Sequence, residues 1–282
     1  RANDGSGSPM QYRPQTGVGF WQPTPPAFAV GAFLHWGKVA PFGLARPDQF
    51  RPKPPPALTS GRYRRDYNEV KAAGDTLSDI NARPQDRINV ARYAAMTSPT
   101  QMWNDIAVQL STAEKLTVSE NARLFALLNM AIADAAIAVF EAKYVYNFWR
   151  PVTAIRAGDL DGNPGTEPDP NYNTFVNSPA YPAYPSGFGA LANAGRSLLE
   201  RMFGRGRHPV TLSLPALSGV TLQYTNLRHI TDDVSDARIY SGIHFRFDQE
   251  AAETLGERVA QFVLRNNLRC ANRNACEDFG DQ

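Results

Sequence analysis

The sequence predicts an all-α protein: a helix bundle preceded by an extended, proline-rich N-terminal arm. Three observations carry this. Residues 1–60 hold 11 of the 22 prolines. From about residue 60 onward, apolar residues recur at helical spacings. No run of alternating residues makes a convincing sheet. With 282 residues the chain is long enough to bury a large core. Lys plus Arg is 29 and Asp plus Glu is 27, a formal charge of +2. That balance argues against a general nucleic-acid binder, which needs a massed cationic face. Mean hydropathy is −0.39, and the longest apolar stretch, Met130 to Phe140, is interrupted by Asp134. On this reading no segment spans a membrane.

The arm is assigned to residues 1–60. Its Pro23–Phe28 and Arg51–Leu58 stretches exclude long helices, because proline removes a donor and restricts its predecessor. Tyr12, Phe20, Trp21, Phe28, Phe33, Trp36, Phe42 and Phe50 punctuate it, so it is expected to lie on the core with its aromatics buried. The helical bundle is assigned to 61–268 and a polar tail to 269–282.

Within the bundle, Tyr67 to Ala73 reads as a short helix ended by Gly74. Gln85 to Thr97 reads as an amphipathic helix, and Pro99 to Ala113 as a helix with proline in its first turn. Val118 to Trp149 reads as a long central helix, capped through Thr117 and Glu120 and apolar nearly all round. Residues 157–185, rich in Gly, Pro, Asp and Asn, read as a long loop of the kind that usually carries function. Gly187 to Phe203 is helical, 205–220 irregular, Val234 to Tyr240 a short helix and His244 to Asn266 an amphipathic one. The first residue is Arg1, which suggests a mature or trimmed product without a signal peptide. Cys270 and Cys276 are close enough for a small disulfide loop, as in an oxidising compartment. Two free thiols are the alternative.

Three clusters could carry chemistry. In KYVYNFWRP, Lys143 and Arg150 would lie about 20° apart on one helix face. Burying both would require an anion; alternatively both reach solvent from the helix end. In YPSGFG, Ser186 stands in N-cap position, and Gly187 leaves the first amides of a helix open to an anion. An ordinary capped helix start fits as well. In DARIYSGIHFRFD, His244 and Asp248 are four apart, so the carboxylate could hold one ring nitrogen and leave the other free. Arg238 precedes His244 across a break at Gly242. The donor set of Lys, two Arg, a hydroxyl, an amide and an oriented His suits a tetrahedral or trigonal-bipyramidal oxyanion.

The order Lys-x6-Arg-Pro, Pro-Ser-Gly-x, Arg-x5-His-x3-Asp resembles the vanadium-dependent haloperoxidase and type 2 acid phosphatase superfamily, PAP2. The flanks RDYNEVKAAG (65–74), NFWRPVTAIR (147–156) and GIHFRFD (242–248) look like its bacterial haloperoxidase-like branch. The resemblance covers about residues 20–268. It implies a haloperoxidase/PAP2-type helix bundle and a secreted or periplasmic protein. It also implies a vanadate cofactor, with phosphate fitting the same seat. Lys143, Arg150 and Arg238 would neutralise the oxyanion, and Ser186 and the Gly187 amide would donate hydrogen bonds to it. His244 would be axial to vanadium in a peroxidase, or the phosphohistidine nucleophile in a phosphatase, and Asp248 would orient it. The partners implied are hydrogen peroxide, halide and a small organic acceptor, or a phosphate ester. The long apolar helices would suit a homodimer.

Two positions depart from the family pattern. Ala237 stands where a Ser precedes the Arg. Phe188 stands where the acid–base His follows Pro-Ser-Gly. Loss of a general acid–base costs about 10²–10⁴-fold, so turnover is expected to be weak unless Tyr184, Tyr181, His229 or water substitutes. A protein that retains the anion seat without turnover is the third reading.

Overall fold

The computed structural model describes residues 12–13, 15–76 and 85–269. Cys270 and Cys276, and with them the disulfide expectation, lie outside the described residues. The elements run α1 (Gly61–Gly74), α2 (Gln85–Met96), α3 (Pro99–Ala113), α4 (Val118–Tyr146), α5 (Pro151–Arg156), α6 (Gly187–Phe203), β1 (Val210–Ser213), β2 (Thr221–Tyr224), α7 (Leu227–Tyr240) and α8 (Arg246–Asn266). The fold is predominantly helical, as the periodicity predicts.

α4, α6 and α8 pack on one another to form the centre. Leu124, Leu127, Ala131, Ala135, Ala138 and Ala142 of α4 are fully or almost fully buried there. The start of α4 follows its sequence signal: the Thr117 hydroxyl accepts from the Glu120 amide, and the Glu120 carboxylate accepts from the Thr117 amide. Among the described residues, α4 alone is long and apolar enough to cross a membrane by length and composition. An 18-residue window reaches mean hydropathy 1.8, and 56% of it is buried inside the protein. The expectation that no stretch reaches that length is therefore corrected, since Asp134 does not lower the average enough.

Several boundaries differ from the sequence reading, and the first is α1, which begins at Gly61, six residues before Tyr67, where the Ser60 side chain caps it. α4 stops at Tyr146, because Asn147 adopts a left-handed conformation (φ 48°). Arg150 is then the extended residue before Pro151, which opens α5. Lys143 and Arg150 therefore do not share one helical stripe. α7 begins at Leu227, seven residues earlier than predicted, where the Asn226 side chain caps it. α8 begins at Arg246, so His244 precedes the helix. A short antiparallel hairpin replaces part of the irregular stretch, with Val210 opposite Tyr224 and Ser213 opposite Thr221. β1 alternates buried and exposed residues, over too few positions to stand out in sequence. Gln109 of α3 holds β1 by both donating to and accepting from the Thr211 backbone.

The segment before α1 carries no α-helix in its described part. Its aromatics are buried less than expected: Trp21 is fully buried, but Phe20, Phe28, Phe33 and Phe42 are exposed. Residues 19–21 pair with the turn after α4. The Trp21 amide donates to Asn147 O at 2.7 Å and the Trp149 amide to Gly19 O at 2.9 Å.

Asp134, the charge inside the apolar helix, accepts the amides of Phe42, Gly43 and Leu44 at 2.6, 2.7 and 2.9 Å. A fully buried carboxylate is held by such bonds. Asp134→Ala should lower the unfolding free energy by about 2–4 kcal/mol, because three amides lose a charged acceptor. Calorimetric melting checks this, and an unchanged melting temperature would contradict it.

Candidate functional site

Five helix ends and one loop converge at the predicted residues. Lys143 comes from the last turn of α4, Arg150 precedes α5, and Ser186 and Gly187 open α6. Arg238 ends α7, and His244 and Asp248 straddle the start of α8. Lys143, Arg150, Ser186 and Asp248 are fully buried, and His244 and Arg238 are nearly so. Local sequence explains the placements. Ser186 caps α6 through a bond from the Gly189 amide at 3.2 Å, while its own amide donates to Asp248 O at 3.0 Å. That bond ties the starts of α6 and α8 together. Gly242 has φ +77°, and its backbone touches that of Gly74 so closely that a side chain on either would overlap the other. The turn before His244 is thus seated on the end of α1. Asp66 of α1 accepts the Phe247 amide at 3.0 Å and fixes the first turn of α8.

His244 Nδ1 lies 2.8 Å from Asp248 Oδ2, which also accepts the Phe245 amide at 3.0 Å. The predicted pair is present, although it is made across a helix start and not along a helix face. A guanidinium only donates, so the Nε2 that faces Arg150 keeps its lone pair and Nδ1 carries the proton. Nε2 faces the Arg150 Nη1 donor at 3.1 Å. Arg150 Nη1 also donates to Ile243 O, and its Nε to Tyr181 O. Lys143 Nζ donates to Pro182 O and Ala183 O at 2.7 and 2.9 Å. A side chain at Gly187 would come within 3.5 Å of Lys143 Cε, which sets the α6 start beside that ammonium. Arg238 stacks on the Phe188 ring, its Cζ 5.2 Å from the centroid, and donates to Ala94 O at 3.3 Å. Tyr181 was only one of several substitutes named from sequence. Its ring lies 5.1 Å from Lys143 Nζ and 5.0 Å from Arg150 Cζ.

Two donors are left over. Arg150 Nη2 and Arg238 Nε are buried without a partner. Burial lowers the pKa values of Arg150 and Arg238 to about 10. It also drives Lys143 well below the usual ammonium range, with the charge of Arg150 adding to the effect. Asp248 is raised by its own burial, so it offsets at most one of the three positive charges. Such a nest is costly empty and favourable around an anion. The N-termini of α6 and α8 add partial positive charge.

His244 is held well below the ordinary imidazole pKa, first by burial and then by Arg150, Lys143 and Arg238. An unfolded chain takes up this proton near pH 6.5, whereas the folded chain refuses it. The group therefore costs stability as pH falls below about 6.5. In imidazole ¹⁵N spectra His244 should keep Nδ1 protonated and Nε2 bare at about pH 6. Ordinary titration would overturn this assignment.

A family model described as the VCPO second helical-bundle domain matches residues 123–273, more than half of the chain. Vanadium chloroperoxidase of Curvularia inaequalis is 26% identical over 56% of this chain and 34% of its own length. The crystal structure of a bacterial vanadium-dependent iodoperoxidase has a TM-score of 0.77 at 26% identity, covering 88% of this chain and 60% of that one. A holo-type bacterial vanadium-dependent chloroperoxidase shares the fold, with a TM-score of 0.68 at 20% identity over 92% of this chain and 65% of the other. The chain thus spans about a third of the curated relative and less than two thirds of either solved chain. By the match over its central and C-terminal helices, it belongs to the family of the VCPO second helical-bundle domain.

Proposed function

We propose that this chain is a vanadate-dependent peroxidase that uses hydrogen peroxide to oxidise halide. The observation that carries the reading is Arg150 Nη1 at 3.1 Å from His244 Nε2, with the charges of Lys143 and Arg238 also acting on that imidazole. The donor set fits an oxyanion. Arg150 Nη2 and Arg238 Nε are buried and unpartnered, and the cations outnumber the one buried carboxylate between them. The names of the similar proteins point to the same cofactor.

Lys143, Arg150 and Arg238 would hold the oxygens of vanadate by charge-assisted bonds. The Ser186 hydroxyl and the Gly187 amide would donate to it as well. His244 Nε2 would bind the vanadate, with Asp248 fixing the ring through Nδ1. Bound vanadate would supply Lewis-acid polarisation of peroxide without a change of oxidation state. The bundle excludes water from these residues, which strengthens each charge-assisted contact. Phe188 cannot move a proton. Its ring instead supports Arg238 and packs beside Ala91, Ala94 and Ala237. The seat therefore favours binding over rapid turnover.

The neutral Nε2 also suits a second reading, a phosphomonoesterase in which His244 attacks phosphorus. The protein reconstituted with orthovanadate should oxidise iodide or bromide when peroxide is added. A phosphatase would instead cleave a chromogenic phosphate ester at acid pH without vanadate. Failure of both, with an anion-dependent rise in melting temperature, would mark a binding protein without turnover. Phe188→His should raise whichever turnover exists by about tenfold or more, because it restores a proton-bearing ring at the start of α6. No gain would show that position 188 does not limit the rate.

A further inference from the structure

Phe188 leaves its own position in the first turn of α6 without a side chain that can donate to an anion. Few side chains can take that part. The Tyr184 hydroxyl donates to Lys53 O at 2.5 Å, and its ring packs on Tyr146 and Phe247. The Tyr144 hydroxyl donates to Ala32 O. His229 is exposed near the start of α7. It lies nine residues before Arg238, about 13.5 Å along the helix axis.

Tyr181 is placed differently. Its ring contacts both Lys143 and Arg150, and its carbonyl accepts from Arg150 Nε at 2.9 Å. Phe140 and Phe33 hold the ring from outside, with centroids 5.2 and 6.1 Å away. A side-chain hydrogen-bond interaction with Arg150 puts the Tyr181 phenol oxygen beside that guanidinium, whose Nη2 keeps an unpartnered N–H. A phenol is neutral, so it adds a donor to a crowded cationic nest without adding charge.

We propose that the Tyr181 hydroxyl completes the oxyanion seat, donating a hydrogen bond to the bound anion where Phe188 cannot. This rests on the oxyanion reading above and adds a residue to it. Tyr181 is an anion-contacting residue on this view, and its ring also positions Lys143 and Arg150.

Tyr181→Phe keeps the ring and its cation contacts and removes only the O–H. Binding of orthovanadate and of inorganic phosphate is measured by calorimetry for the wild type, Tyr181→Phe and Tyr184→Phe. A hydrogen bond to a charged group is worth about 1.5–3 kcal/mol, so Tyr181→Phe should bind both anions about 10- to 100-fold more weakly. Tyr184→Phe should bind like the wild type. Anion binding should also produce a phenol ultraviolet difference spectrum in the wild type that is reduced in Tyr181→Phe. Wild-type affinity and an unchanged difference spectrum in Tyr181→Phe would overturn this proposal alone. A wild type that binds neither anion would overturn the oxyanion reading and this proposal together.

Discussion

Burying three cations around one imidazole is the constraint on which the site depends. Lys143, Arg150 and Arg238 are removed from water, and burial pushes the pKa of each downward. Main-chain carbonyls of Pro182, Ala183, Tyr181, Ile243 and Ala94 satisfy part of their hydrogen bonding. Carbonyl oxygens are dipoles, however, and leave the net charge in place. Among the described residues, Asp248 is the buried acid whose charge acts on Lys143 and Arg150, and its Oδ2 is already engaged with His244 and the Phe245 amide. The remaining demand is for a polyanionic ligand with several acceptor oxygens.

Buried carboxylates elsewhere do structural work of the same kind. Asp134 gathers three successive amides of residues 42–44. Asp66 takes the Phe247 amide. In each case a helix reaches out to a non-helical stretch or a helix start and fixes its path. The long loop before α6 is fixed in part by backbone bonds, such as the Ala183 amide to Phe148 O at 2.9 Å. The loop can therefore offer Tyr181 and its carbonyls to the cations at a defined position.

Much of this was legible in sequence, for identifiable reasons. The Thr117 capping box, the Ser186 cap and the proline of Pro99 gave helix starts, because capping is local chemistry. Lys143, Arg150, Ser186, Arg238 and His244 stood out by spacing and residue type, and the fold buries all five. The end of α4 was misplaced because the left-handed turn at Asn147 interrupts an otherwise helical pattern of Phe148 and Trp149. The Asn226 cap at the start of α7 was passed over because the residues after it are polar, with little periodic signal. The β1–β2 hairpin is held by register and by Gln109, neither of which a four-residue pattern reveals. Asp134 read as an interruption because its partners lie about ninety residues away. Tyr181 carried no motif of its own, and only the folded loop brings its ring against two cations.

One oxygen, Asp248 Oδ2, meets both the imidazole and the amide of Phe245, the residue that precedes α8. Secondary structure and reactivity are thus written into a single atom. A lineage that abandoned turnover would still be selected to retain this carboxylate for the sake of its helix. Persistence of this His–Asp pair among related chains would therefore report on the helix start as much as on any chemistry.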